Sequence, residues 1–248
     1  MKINFIGTGG SSMTQERNGV TILIDDETLI DCSEGTAKRL IKRNKIDKLK
    51  EILISHFHLD HSIGIFSIFW YYWLVSNRIK PIKVYGPGKI ENFVEKILEL
   101  TSTPRKAFPF NIKYFEFNEE KAMKYDDISA LHVIHSTETL AYRVDRKKSV
   151  CYTSDTGPYE KIIDFAKNAD LLIHDVSGTE KQAEWAHKYH HCTSKDAALT
   201  ARNANVKMLA MVHIMPQNEK DKDLMIKEAK NYYDGEILLP EDLTEITI

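Results

Sequence analysis

Cysteine is scarce, with 3 in 248 residues: too few for a four-thiolate zinc site, and odd in number, so they cannot all pair. That excludes the disulfide scaffolds of small secreted proteins and points to a reducing compartment. Charge of one sign is lacking too, since 34 Lys and Arg stand against 36 Asp and Glu for a formal net charge of −2. A binder of nucleic acid or anionic membrane that uses its whole surface needs a basic excess, so any phosphate recognition here must be local. Pro and Gly number only 7 and 11, and no Pro/Ser/Gly-rich linker or low-complexity stretch divides the chain. The longest apolar run, Ile63 to Val75, falls short of the ~18 residues of a membrane span. MKINFIGTGG holds too short an apolar stretch for a signal peptide. These absences predict a cytoplasmic protein with no membrane contact. What is present is 42% hydrophobic and 28% charged, an ordinary globular balance in which histidine, at 10 residues, is the one soft ligand in quantity.

Short runs rich in Ile, Val, Phe and Tyr read as strands: KINFI, GVTILI, TLIDC, EILIS, IKVYG, NIKYFEF, SALHVI, AYRV, SVCYTS, DLLIHD and KMLAMV. Several lack polar alternation, as strands covered on both faces do. Amphipathic stretches lie near residues 36–44, 61–76, 88–100, 158–168, 194–204 and 220–232. In the first of them Ala37, Leu40 and Ile41 recur at i, i+3, i+4, the spacing of one buried helical stripe. Each half opens with consecutive strands and then alternates helices with strands, with a break near TSTPRKAFPF at 101–110. The pattern predicts an α/β (α+β) fold: a four-layer αββα sandwich, one domain over 1–248 built of two pseudo-repeated halves, about 1–110 and 111–248.

The sharpest feature is SHFHLDH, Ser55 to His61, directly after the buried-strand pattern EILIS. In an extended segment residues i and i+2 point the same way, so His56 and His58 can face one point. Asp60 and His61 fall where the chain turns into a helix and can face a second point beside it. Three imidazoles and a carboxylate suit borderline cations such as Zn²⁺. So short a cluster cannot close two coordination spheres. Further donors in equivalent positions are His135 after SALHVI, Asp155 after SVCYTS and His213 after KMLAMV, which places them along one edge of the sheets. Asp155 is the carboxylate among these three, and its two oxygens can bridge two ions.

With these residues in view, the chain resembles the metallo-β-lactamase superfamily, specifically the ribonuclease Z-like branch of phosphodiesterases. The resemblance runs through FIGTGGSSMTQERN, LIDCSEGTAKRL, HFHLDH, PIKVYGPG, VIHSTETLAYRV, YTSDTGPYEKIIDFAKNADLLIHD and HHCTSKDAALTA leading to LAMVHIMP. It implies two divalent metal ions, Zn²⁺ first, with Mn²⁺ or iron as alternatives. His56, His58, His135 and Asp155 would hold one, and Asp60, His61, Asp155 and His213 the other. Such a pair lowers the pKa of a shared water so that a bridging hydroxide can attack phosphorus. The resemblance further implies that His191, in HHCTS, and the acid at Asp175, in LLIHD, assist the leaving group, so that Asp60, His191 and Asp175 are the catalytic side chains. The branch usually has Glu where this chain has Asp175, one methylene shorter. Asp31, in LIDC, matches an acid that supports the metal loop without ligating.

Other features carry less. Gly7, Gly9 and Gly10 lack the last glycine of a dinucleotide loop and read as a tight turn near the site. His132, His174, His187 and His190 read as structural or solvated, with His174 at the edge of the site as the other option. The basic residues Lys38, Arg39, Lys42, Arg43, Lys45, Lys48 and Lys50 read as a solvated face, or as an RNA contact. The run IFSIFWYYWLV is apolar on every side of a helix, which asks for cover beyond the core: a homodimer interface through the 63–75 helix, or a substrate groove.

Enzymes that trim tRNA 3′ ends carry a long arm between the segments matching AYRV and SVCYTSD. Here only 12 residues separate Tyr142 from Asp155. This favours a dinuclear metal-dependent phosphodiesterase acting on small, cyclic or generic phosphodiesters. The alternative is an RNA-processing endonuclease of ribonuclease Z type. Behind both stands a thioester hydrolase or oxidoreductase on the same scaffold.

Overall fold

The computed structural model describes residues 1–118 and 124–248. In chain order the first sheet receives β1 (Lys2–Gly7), β2 (Thr21–Ile24), β3 (Thr28–Ile30), β4 (Glu51–Leu53), β5 (Ile82–Pro87) and β6 (Ile112–Phe117). Between them run α1 (Thr36–Lys42), α2 (Leu59–Ser62), α3 (Ile65–Leu74) and α4 (Ile90–Leu100). The second sheet takes β7 (Lys124–Tyr125), β8 (Ile128–His132), β9 (Leu140–Asp145), β10 (Ser149–Tyr152), β11 (Leu171–Asp175), β12 (Met208–Val212) and β13 (Glu236–Leu238). Its helices are α5 (Lys161–Phe165), α6 (Ala183–Lys188), α7 (Ser194–Asn203) and α8 (Lys222–Lys230), and β14 (Thr244–Thr247) closes the chain.

Both seven-stranded sheets follow one plan. The orders are β14-β1-β2-β3-β4-β5-β6 and β13-β12-β11-β10-β9-β8-β7. In each, antiparallel neighbours at the start (β1 to β3, β7 to β10) give way to parallel ones (β3 to β6, β10 to β13). Three apolar clusters define the layers. One lies between the sheets and includes Phe5, Ile22, Tyr142, Tyr152, Ile173 and Val212. A second joins the outer face of the first sheet to Leu40, Ile68, Phe69, Tyr72 and Val94 of α1, α3 and α4. The third seats Ala197, Ala198 and Ala201 of α7 on Leu172 and Leu209, where side chains this small let a helix come close to a sheet. The αββα sandwich is thus present, the central strands of each sheet being buried on both faces.

Three expectations change. TSTPRKAFPF leads from α4 to β6 within the first sheet, and β14 returns to that sheet from the far end of the chain, so the strands do not sort at residue 110. In α1 the buried stripe is Thr36, Ala37 and Leu40, while Ile41 is 40% exposed because a helix of seven residues covers the sheet with one narrow edge. The expected helix at 158–168 shrinks to five residues, Lys161–Phe165. Among the described residues no helix is long and apolar enough to cross a membrane.

Candidate metal centre

The donors meet at the ends of parallel-running strands. His56 and His58 follow β4, His135 follows β8, Asp155 follows β10, Asp175 ends β11, and His213 follows β12. His58 is extended (φ −60°, ψ 146°) and starts α2, so the helix turn carries Asp60 and His61 round to face the same space. His56 Nε2, His58 Nδ1 and His135 Nε2 form one tight group, at 2.9 Å from the first to the second and 3.4 Å from the second to the third. Asp60, His61 and His213 form another, with His61 Nε2 3.3 Å and His213 Nε2 3.8 Å from Asp60 Oδ2. Asp155 Oδ2 lies between the groups: 3.9 Å from His56 Nε2 and His135 Nε2, 3.3 Å from His61 Nε2 and 3.2 Å from His213 Nε2.

The orientation of four of the five rings is fixed from behind. His61 Nδ1 donates to Asp31 Oδ2 at 2.8 Å, and His56 Nδ1 to Ser55 Oγ at 3.0 Å, which in turn donates to Asp31 Oδ2 at 2.9 Å. His213 Nδ1 donates to Ser177 Oγ at 2.9 Å, which donates to Asp175 Oδ1 at 2.8 Å. His135 Nδ1 reaches the His190 carbonyl at 3.4 Å. In all four rings the Nε2 lone pair is left pointing inward, the tautomer a metal requires. His61 Nε2, His213 Nε2 and Asp155 Oδ1 are buried with no hydrogen-bond partner among the described residues. Orphaned polar atoms of this kind are costly unless a cation satisfies them. The donor chemistry and the inward lone pairs therefore fit two divalent cations.

The comparisons agree with this geometry. Residues 27–214 match the model of the beta-lactamase superfamily domain. Ribonuclease Z of Sulfurisphaera tokodaii is 30% identical over 275 positions, covering 91% of this chain and 91% of the relative. Ribonuclease Z of Methanosarcina acetivorans is 28% identical over 310 positions, covering 100% and 98%. The chain belongs to the metallo-β-lactamase superfamily, in its ribonuclease Z-like branch. The fold likeness is equally complete. The crystal structure of the short form of human tRNase Z superposes with a TM-score of 0.84 at 23% identity, over 100% of this chain and 99% of that one. The metallo-β-lactamase fold protein YhfI from Bacillus subtilis gives 0.83 at 24%, over 99% and 98%. This ribonuclease Z-like chain is a metal-dependent hydrolase, and its relatives' names favour the reading that the sequence placed second, an RNA-processing enzyme, over a generic phosphodiesterase.

Electrostatics show the same demand for cations. Burial works against a proton on His61, yet the Asp155 and Asp31 charges outweigh it and hold its pKa well above the usual imidazole range. The same contest raises His213 to about 10, with Asp155 the main counter-charge. Burial, aided by the neighbouring His61, pushes His56 far the other way. Asp155 stays ionised despite its burial because His213 and His61 face it. The carboxylates are held towards the charged form, and His61 and His213, the rings that face them, are pushed towards protonation.

His191 joins the site from the loop between α6 and α7. Its ring stacks on His213 at 5.1 Å and 19°, and its Nδ1 lies 2.9 Å from Asp175 Oδ2, so the shorter acid does reach. Asp175 is buried and also accepts from the Thr156 N–H at 3.3 Å. Burial lowers the His191 pKa, but the Asp175 charge more than offsets this and raises it. Just beyond, Thr193 and Asp196 cap α7 reciprocally, which anchors the loop.

Some contributors were invisible as sequence. Ser11 donates its backbone N–H to Asp60 Oδ2 at 3.0 Å, and it can approach because Gly10 has no side chain: a Cβ there would sit 2.6 Å from His213 Nδ1. Tyr152 donates to Asp31 at 2.9 Å from the other sheet. His190, expected to be structural or solvated, lines the cleft and supplies the carbonyl behind His135. Asp31, Ser154, His190 and His213 all hold positive φ, between 55° and 64°, so local strain gathers round the donors. Four of the seven basic residues between Lys38 and Lys50 are committed to acids: Arg39 to Asp242, Lys45 to Asp26 and Glu245, Lys48 to Asp26, and Lys50 to Glu27.

Proposed function

We propose that this chain is a dinuclear phosphodiesterase of ribonuclease Z type that hydrolyses phosphodiester bonds in RNA. The observation that carries it is the convergence of seven donors, His56, His58, Asp60, His61, His135, Asp155 and His213, with His191 and its partner Asp175 at their rim. His56, His58, His135 and Asp155 would hold one cation and Asp60, His61, Asp155 and His213 the other. The imidazole-rich set suits Zn²⁺, and Mn²⁺ or iron accept the same donors. Two such ions, when bound, lower the pKa of water and offset the charge on phosphoryl oxygens. The chain's own groups do the rest. Asp31, Ser55 and Ser177 keep the imidazoles in register. His191 delivers a proton to the oxygen that leaves phosphorus, and Asp175 stabilises the imidazolium that carries it.

One observation favours a second reading, in which the substrate is a small or cyclic phosphodiester. Between β9 and β10, where the resemblance puts a tRNA-gripping arm, there is only a hairpin turn, Arg146–Lys148, closed by the Arg146 N–H to the Lys148 carbonyl at 3.0 Å. The alignment with the Methanosarcina acetivorans relative likewise runs to 310 positions against 248 residues, so that relative has about 60 positions this chain lacks. Metal analysis of the purified protein, followed by assays on a precursor tRNA, bis(p-nitrophenyl) phosphate and cyclic nucleotides, separates the two. RNA cleavage is expected. Turnover of the small diesters alone would establish the second reading, and a metal-loaded protein inert toward all three would overturn both.

The reading includes a second copy of the chain on the outer face of α3, where Trp70, Leu74 and Val75 are 43%, 54% and 65% exposed.

A further inference from the structure

We propose that Lys188 and Tyr189 form a subsite for the leaving nucleotide, with Tyr189 stacking on its base and Lys188 meeting the phosphate next to the scissile one. The inference rests on the proposed phosphodiesterase reading and assigns the part of the substrate that the metal centre does not contact. Residues 188–191 are consecutive in the wall of a cleft of about 440 Å³ that Ser11, His58, Asp60 and Asp155 also line. That volume is within the range that takes small-molecule ligands. The turn that presents them is fixed: the Tyr189 N–H bonds to the Ala186 carbonyl at 3.2 Å, the His190 N–H to the His187 carbonyl at 3.1 Å and the His191 N–H to the Ala186 carbonyl at 2.8 Å. His190, at φ +59°, turns the chain so that His191 enters the site while Lys188 and Tyr189 stay on the lip.

The direction of the substrate follows from His191. With Nδ1 given to Asp175, the other ring nitrogen is the one free to serve the leaving oxygen, and the proposal sets the group attached to that oxygen over Lys188 and Tyr189, which line the same cleft. There it meets an aromatic face and a cation. Tyr189 is 51% exposed, its ring touches Trp185 at 5.7 Å, and its hydroxyl makes no hydrogen bond among the described residues. The Lys188 ammonium lies 5.6 Å from the Tyr189 ring centroid and makes no ion pair among the described residues. Among the described residues it is the only Lys or Arg lining the cleft. An exposed aromatic ring with an ammonium over it, and no acid paired to that ammonium among the described residues, is an arrangement that holds single-stranded nucleic acid. On a chain of net charge −2 whose basic stretch is largely ion-paired, this is also where local positive charge is left for a phosphate.

The test compares the metal-loaded wild type with Lys188→Ala and Tyr189→Ala on single-stranded RNA and on bis(p-nitrophenyl) phosphate. A phosphorothioate oligoribonucleotide, used as competitive inhibitor of the small-diester reaction, reads binding separately from RNA cleavage. Each variant is expected to raise KM for RNA and Ki for the oligonucleotide about ten-fold, in keeping with the loss of one stacked base or one phosphate contact. The kcat and KM for the small diester should stay as in wild type. Lys188→Arg and Tyr189→Phe should restore RNA binding, and Lys188→Ala should lower the salt dependence of log Ki by about 0.7. Unchanged Ki in both alanine variants, or equal losses on both substrates, would overturn the subsite. If wild type turns over the small diester but not RNA, the RNA reading fails, and the inhibition arm still decides whether the subsite exists.

Discussion

Four hydrogen bonds from three separate segments end on the carboxylate of Asp31: the Ser55 N–H at 2.8 Å, Ser55 Oγ, Tyr152 OH and His61 Nδ1. Replacing it with Ala should loosen His61 and His56 together, and chelator competition should find metal affinity 10–100-fold lower, the usual cost of losing an outer partner of a ligand. Asp155→Ala should lose both metal and activity, because one carboxylate faces both donor groups. His191→Ala should keep both ions and lose about 10²–10⁴ in kcat, the range of a general acid. A His191→Ala enzyme with wild-type kcat would remove the leaving-group role. Gly10→Ala forces a Cβ to 2.6 Å from His213 Nδ1 and 2.8 Å from its carbonyl, so thermal unfolding should show a loss of ~1–3 kcal/mol along with weaker metal binding. The convergence of these side chains was legible in the sequence because His56, His135, Asp155 and His213 each follow an apolar strand, while His58, Asp60 and His61 stand together in the turn into α2. Ser11, Ser55 and Ser177 were not, since a serine states nothing about which ring it will stand behind.

At the scale of elements, Asp170 shows how the strands of the second sheet are pinned at their starts. Its carboxylate accepts from the Ser149 N–H at 2.9 Å, from Lys148 at 3.2 Å and from Lys207 at 2.7 Å, joining the entries to β10, β11 and β12. Burial alone would raise its pKa, but Lys207 and the Ser149 N–H hold it below the usual carboxylate range. A folded-state pKa below the unfolded one stabilises the protein at pH values above the unfolded pKa and fades as pH falls through the folded value. Asp170→Asn should therefore cost ~1 kcal/mol in urea unfolding at pH 7, much of it from the Ser149 bond because the lysines are screened by water, and the difference should shrink below about pH 4. The exposed face of α3 makes a separate prediction. Trp70→Glu with Leu74→Lys should leave the fold intact and convert a dimer to monomer in sedimentation velocity, while a wild type that already sediments as a monomer would remove the second copy from the proposal. Eleven strands were legible from their apolar runs. β7, β13 and β14 were not, being short segments of two, three and four residues with exposed positions. The six residues of α6 likewise offered too few positions to set a period.

For the molecule as a whole, the C-terminal segment is a clasp on the site-bearing loop. Asp242 accepts from Thr8 Oγ1 at 2.7 Å, from the Asn18 N–H at 2.6 Å and from Arg39, while Arg17 bonds to Glu219 and to the Pro240 carbonyl at 2.8 Å. The loop held at both ends, residues 8–18, is the one that brings Ser11 to Asp60. Asp242→Ala should lower the unfolding temperature by several degrees, as expected for a loss of ~1–3 kcal/mol in a chain of this size, and should speed proteolysis within that loop. None of this was legible beforehand, because Asp242 and the residues it touches stand more than 200 positions apart. The same distance sets a timetable for β14. It pairs with β1 from Lys2↔Thr247 to Phe5↔Thr244, so β1 leaves the ribosome some 240 residues before its partner. At 5–20 residues per second that wait is on the order of ten seconds or more, during which the edge of β1 is an open template for other nascent chains. A cell that makes this protein quickly needs something to cover that edge until β14 has emerged.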